Sequence, residues 1–267
     1  MNAPRMPRPF AMTGVWVTLA AITLAGLVLR LWGLGREAVW VDELVFYDHL
    51  DARELGAFLA RVRLADPPMT PGYFTLGWLW AKTVGDSVVA LRVFSVLLAT
   101  PLIPLAFACA RRGYGNAAGL FAALCVALAL NQIYYAQELR MYALVLPLGV
   151  LSMYAFARAQ DGGRPAWWAL NVACNSALLG CHLLAACLLL AQGLALLATR
   201  PRTWRTWVPW GMAHGPAVLA LAWWISTINA AALNNAASGI GIPSLYHLPP
   251  MLILWAGARL RDPYNPD

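Results

Sequence analysis

Asp42 and Glu43 stand side by side in GLGREAVWVDELVFYDHL, a stretch that follows an apolar run of membrane-crossing length. Adjacent residues cannot share a face: they diverge by about 100° on a helix and point to opposite sides of a strand. One carboxylate can therefore aim at a substrate while its neighbour holds a metal ion or a backbone donor. Two further polar groups interrupt apolar sequence, Gln137-Glu138-Leu139-Arg140 and the histidine of Gly180-Cys181-His182. Ionisable groups at membrane depth are costly, which makes function the default reading. Plainer readings stand beside it. An Asp-Glu pair also occurs in ordinary acidic interfacial loops, Glu138 and Arg140 suit an interfacial anchor pair, and a lone histidine at a helix tip is commonly a satisfied polar end.

The elements that must position these residues are membrane helices. The chain is 61% hydrophobic and 12% charged, against about a quarter charged in a typical globular domain. Its apolar runs of roughly 16–23 residues match a helix that crosses a bilayer, and the period-two alternation of a transmembrane barrel is absent. The fold class expected is all-α and polytopic. The net charge of +7 does not imply nucleic acid, because the cations lie at the ends of apolar segments, where they record topology. Cys109, Cys125, Cys174, Cys181 and Cys187 show neither metal-ligand spacing nor a disulfide framework and read as small buried hydrophobes.

Taken in order, a first span covers about 10–32, preceded by Arg5 and Arg8, which place the N-terminus in the cytoplasm. It reads as an uncleaved span, being too long for a signal peptide and lacking a small-residue cleavage site. Arg30 near its outer end is close enough to snorkel to the interface. The external segment 33–87 carries most of the acidic residues and is too long to lack a function.

Within it, Leu55, Phe58, Leu59 and Val62 recur at helical spacing, with Asp51 as N-cap and Glu54 completing a capping box. This predicts an amphipathic interfacial helix over 51–63, ended by the prolines at 67, 68 and 71. Residues 73–80 predict a second surface-hugging segment. Further spans follow over about 88–110, closing at Arg111-Arg112, over 117–130, and from about Arg140 to Arg158. The run 167–197 is too long for one helix and splits into two, with His182 at the outer tip. The last span covers about 207–228, with Arg200, Arg202 and Arg205 before it. Roughly seven spans put every basic cluster on one side. The whole chain, 1–267, is expected to form one transmembrane domain with 33–87 as its external catalytic loop. Because 249–258 is too short to cross and no capping pattern closes the chain, it is expected to continue beyond Asp267.

The order R-L-W-G-L-G-R-E-A-V-W-V-D-E-L, D-P-P-M-T-P-G-Y-F, A-L-R-V-F-S, Y-Y-A-Q-E-L-R-M-Y-A-L and G-C-H-L-L resembles membrane glycosyltransferases of the GT-C fold, of the protein O-mannosyltransferase and aminoarabinose transferase type. The resemblance implies a polyprenyl-phosphate sugar donor, a glycan, lipid or protein acceptor, and an active site on the external (periplasmic) face of a bacterial inner membrane. It implies Asp42 as catalytic base with Glu43 in support. Arg140 is the first candidate for the donor phosphate, followed by Arg30, Glu138 and Tyr135. Some relatives hold a divalent metal cation with a carboxylate and a histidine, which makes Glu43, Glu138 and His182 candidate ligands. Two other classes remain open, a transporter or lipid flippase and a non-catalytic, truncated transferase.

Overall fold

The computed structural model describes residues 9–65, 69–162, 164–199 and 204–227. Among these every regular element is an α-helix: α1 (Pro9–Leu31), α2 (Val41–Tyr47), α3 (Leu55–Ala65), α4 (Pro71–Thr83), α5 (Val88–Ala99), α6 (Leu102–Leu128), α7 (Leu130–Gln137), α8 (Tyr142–Gln160), α9 (Pro165–Cys181), α10 (Ala185–Thr199) and α11 (Trp204–Ser226). The chain is thus an all-α polytopic membrane protein. The short segment 249–258 and the chain end lie outside the described residues, as do Arg5, Arg8, Arg200 and Arg202.

Among the described residues three stretches are long and apolar enough to cross a bilayer, Met12–Leu31, Val88–Leu128 and Tyr142–Gln160, and Ala185–Thr199 is a shorter apolar helix. The second is not one rod. Gly115 has φ 85° inside α6, a conformation that L side chains avoid and glycine tolerates. The chain reverses there: Gly26 of α1 abuts both Ile103 and Ala127, and Gly119 abuts Phe107 and Arg111. The sequence reading placed a turn between 110 and 117 for its arginines, and the fold makes it with glycine.

The expectation of roughly seven spans is met only in part, since α9 and α10 have 17 and 15 residues, and polar side chains lie inside α8 to α11. Ser152, Asn171, Asn175, Gln192 and His214 are all buried and bond one another across four helices. Asn175 Nδ2 donates to Gln192 Oε1 at 2.8 Å and lies 3.0 Å from His214 Nε2. Asn171 Nδ2 donates to the same Gln192 oxygen at 3.0 Å, and Gln192 Nε2 donates to Ser152 Oγ at 2.9 Å. Trp210 Nε1 donates to Asn171 Oδ1 at 2.9 Å. Where lipid removes the hydrophobic drive between helices, such bonds hold them together. This cluster lies within helices α8 to α11.

At the other end, α2, α3 and α4 form an apolar cap with α5 and the 138–141 connector. Phe46, Phe58, Tyr73, Phe74, Leu91, Leu139 and Met141 are buried together, with Phe46 ring centroids 5.5 and 5.7 Å from Phe58 and Phe74. The second segment expected at the surface, 73–80, lies in helix α4, which buries Tyr73, Phe74, Gly77 and Ala81. Helix α3 buries Phe58 and Val62 as its periodicity required but starts at Leu55. Asp51 does not cap it and pairs with Arg61 at 2.7 Å. Asn131 to Tyr135 belong to α7, which is set off from α6 by the extended Ala129 (φ −62°, ψ 116°).

The N-terminus of α4 meets the C-terminus of α9 at backbone distance. A Cβ on Gly72 would stand 2.6 Å from the Gly180 carbonyl oxygen and 3.0 Å from Cys181 Sγ. Backbone cannot rotate away, so Gly72→Ala should destabilise the fold by about 1–3 kcal/mol. Gly56→Ala, with nothing within 4 Å, should be neutral or stabilising by up to about 1 kcal/mol. Thermal unfolding in detergent, followed by circular dichroism, checks both; equal melting temperatures would refute the contact.

Candidate active site

Helix α2 begins where a carboxylate satisfies an orphan donor. Glu43, at the third helical position, accepts the Trp40 backbone N–H at 3.0 Å, and acidic groups in a first turn also complement the helix dipole. The same carboxylate is buried and accepts three more donors. Arg92 reaches it twice, Nε to Oε1 at 3.1 Å and an Nη to Oε2 at 2.6 Å. The Leu139 backbone N–H donates to Oε1 at 2.9 Å. Burial pushes the Glu43 carboxyl up, but the Arg92 guanidinium and the two backbone donors outweigh it and hold the group below its ordinary value.

Arg92 spends its remaining hydrogens on the loop before α2. It donates to the carbonyls of Leu34 at 2.8 Å, Glu37 at 3.0 Å and Ala38 at 3.2 Å. All five guanidinium hydrogens are then used. Glu43 and Arg92 together tie three distant stretches: the loop, α5 and the connector after α7.

Asp42 is turned away from this hub. Its side chain is 55% exposed and lies 3.7 Å from a guanidinium nitrogen of Arg140, whose own side chain is 10% exposed. Arg140 also donates to the Asp42 carbonyl at 3.2 Å. An accessible carboxylate thus sits beside a largely buried cation, in a helix turn anchored by Glu43.

Glu138, extended at the end of α7, lines a cleft of about 60 Å³ with Glu37, Trp40, Tyr134 and Gln137. Burial pushes its carboxyl up, and the charges of Glu43 and Asp42 add to this against Tyr134 and Arg140. Tyr135 packs against Tyr134 of this cleft, with ring centroids 5.5 Å apart. Its centroid is 5.4 Å from Tyr142, which is 6.1 Å from His182. Tyr142 and His182 line a groove of about 560 Å³ that is otherwise apolar, with Leu146, Met153, Leu178 and Leu188 among its walls.

Arg30 is placed elsewhere. It was expected to reach the interface and the donor phosphate, yet it is 1% exposed. Its guanidinium donates to the carbonyls of Gly26 at 2.9 Å, Ala127 at 3.2 Å and Val126 at 3.0 Å. The last carbonyls of a helix lack intrahelical partners and carry partial negative charge, so Arg30 caps the end of α6. Gln137 extends the join by donating to the carbonyls of Arg30 and Trp32 at 3.0 and 2.9 Å.

The described residues offer no ready three-ligand set for a divalent metal. No group of three or more His, Cys, Asp or Glu converges among the described residues. Both Glu43 oxygens are engaged, and His182 Nδ1 accepts the Leu184 backbone N–H at 3.1 Å.

Arg92 was not among the residues singled out for chemistry, although it stands in the A-L-R-V-F-S stretch. The available signal was a lone arginine inside the otherwise apolar VVALRVFSVLLA of α5.

Neither curated proteins nor solved structures yield a match to the chain. A family match does exist, to dolichyl-phosphate-mannose-protein mannosyltransferase, over residues 66–258. It takes in Arg92, Glu138, Arg140 and His182, whereas Asp42 and Glu43 precede it and join the site through Arg140, Arg92 and Leu139. Covering well over half of the sequence, the match shows that the chain belongs to this family of membrane glycosyltransferases, which draw on polyprenyl-phosphate sugars.

Proposed function

We propose that the chain moves a sugar from a polyprenyl-phosphate donor to an acceptor hydroxyl, with Asp42 as base and Arg140 at the donor phosphate. One observation carries the reading: the accessible Asp42 carboxylate lies 3.7 Å from the largely buried Arg140 guanidinium. Two residues beyond Arg140, Tyr142 opens an apolar groove. From Tyr142 to Met153 that groove follows α8 for about 16 Å at 1.5 Å per residue, room for the first few isoprene units of a lipid tail.

In this reading Asp42 takes the proton of the acceptor hydroxyl as its oxygen bonds to the anomeric carbon. The bond from that carbon to the phosphate oxygen breaks, and the polyprenyl phosphate leaves with the electron pair. Arg140 stabilises the charge that builds on it. Direct displacement inverts the anomeric centre. Tyr135 and Glu138 border the donor side, and no step passes through a metal. We place the site on the external face of a bacterial inner membrane, with the N-terminus in the cytoplasm, following the basic-residue bias. The acceptor is a glycan, lipid or protein hydroxyl.

A conduction role would use the buried amides of α9 and α10. Those amides bond one another, which suits a helix fastening more than a path for solute.

The test is direct. Purified protein is incubated with polyprenyl-phosphate hexoses and pentoses, with and without an envelope extract as acceptor, and donor loss is followed by mass spectrometry. Consumption with release of polyprenyl phosphate is expected for at least one sugar. No release from any donor, under conditions where the protein remains folded, would sink the proposal.

A further inference from the structure

The sequence offers His182 either as a metal ligand or as a polar helix tip, and its hydrogen bonding points to a third role. His182 ends α9 in extended conformation (φ −158°, ψ 129°), and α10 begins three residues later. Its Nδ1 accepts the Leu184 backbone N–H at 3.1 Å. A nitrogen that accepts from an amide carries a lone pair, so in the neutral ring the proton resides on Nε2. Nε2 is then a donor and has no lone pair for a metal. Burial, followed by the Arg140 charge, pushes the imidazole below its ordinary value and favours this neutral form.

The ring stands in the wall of the apolar groove beside Tyr142, and it makes no other hydrogen bond among the described residues. A polar N–H in the wall of an apolar groove, close enough to Arg140 to feel its charge, suits a lipid phosphate better than it suits lipid alone.

We infer that His182 is a neutral hydrogen-bond donor to the phosphate of the lipid-linked substrate, presenting Nε2–H while Nδ1 fastens the α9–α10 turn. The inference rests on the donor class proposed above. It adds a second phosphate-binding residue, from a different helix pair than Arg140.

The two nitrogens can be tested apart. His182→Asn puts an acceptor where Nδ1 was and removes the outer N–H; His182→Gln puts an N–H near Nε2 and alters the turn. Affinity for a long-chain polyprenyl phosphate is measured in detergent on the full chain, alongside melting temperature, in EDTA and again with added Mn²⁺. A hydrogen bond to a charged group, at about 1.5–3 kcal/mol, predicts that His182→Asn weakens binding about 10–100-fold with little change in melting temperature. His182→Gln should recover most of that binding while melting lower, and neither should respond to the metal.

The opposite pattern, His182→Asn binding like the parent chain and His182→Gln impaired, would make the histidine a turn cap only. Binding that needs Mn²⁺ and is lost in both variants would overturn the donor role in favour of ligation. Failure of the unsubstituted chain to bind any polyprenyl phosphate would instead remove the donor class, and this inference with it.

Discussion

Asp42→Asn is expected to lower sugar transfer by about 10²–10⁴-fold, the contribution of a positioned general base, without loss of fold. The reason for the selectivity is local. The Asp42 side chain is 55% exposed and lies 3.7 Å from Arg140, so amidation removes a base while disturbing little packing. Arg140 also holds the Asp42 backbone carbonyl, a bond the substitution leaves in place. The measurement is turnover with a polyprenyl-phosphate sugar, paired with donor affinity and melting temperature. Turnover near that of the parent chain would remove Asp42 from the role of base. A fall in turnover that merely tracked a fall in melting temperature would assign it to structure.

The neighbouring carboxylate should behave in the opposite way. Glu43→Gln leaves the Arg92 guanidinium buried against a neutral group, and Arg92→Met leaves the Glu43 carboxylate buried without its cation. Removing one partner of a buried pair typically costs about 3–5 kcal/mol, a large share of a domain's stability. Each single variant should therefore accumulate poorly or melt early. The double variant Glu43→Met with Arg92→Met removes both charges and should recover much of the loss, since apolar replacement of a buried pair is commonly near neutral. It should not recover turnover, because the carbonyls of Leu34, Glu37 and Ala38 have lost the donor that arranges the loop before Asp42. Full activity in the double variant would reduce the pair to packing.

The same pair sets a pH dependence. The folded-state value of Glu43 lies below its ordinary 4.5, so its contribution is fully present above about pH 4.5. It is lost as pH falls through the lower folded value. Acid unfolding of Glu43→Gln should lack that component.

The two charged residues thus illustrate what distance in sequence conceals. Asp42 and Glu43 were visible as a pair, and helical geometry already required them to diverge. Which one faces the solvent depends on partners 49 and 96 residues away, Arg92 and Leu139. Arg30 and Arg92 looked alike in sequence, each a lone arginine in an apolar helix. One caps the end of α6 and the other organises the loop ahead of α2, because the unsatisfied carbonyls near each differ. The polar residues of α8–α11 were also visible singly, as Ser152, Asn171, Asn175, Gln192 and His214. Only the packing of four helices makes them one network.

The sequence by itself determined the helical class, the breaks near 112–115 and 180–182, the apolar face of α3, and the stretches that carry ionisable groups into apolar surroundings. These are local properties, set by run length, by 3.6-residue periodicity and by glycine or proline at the turns. Tertiary structure decided the division of roles: Glu43 as buried anchor, Asp42 as the accessible carboxylate, Arg140 beside it, and His182 in the wall of the groove. Those assignments depend on which donors and charges meet a side chain across the fold, and for the buried Glu43–Arg92 pair losing one partner costs about 3–5 kcal/mol.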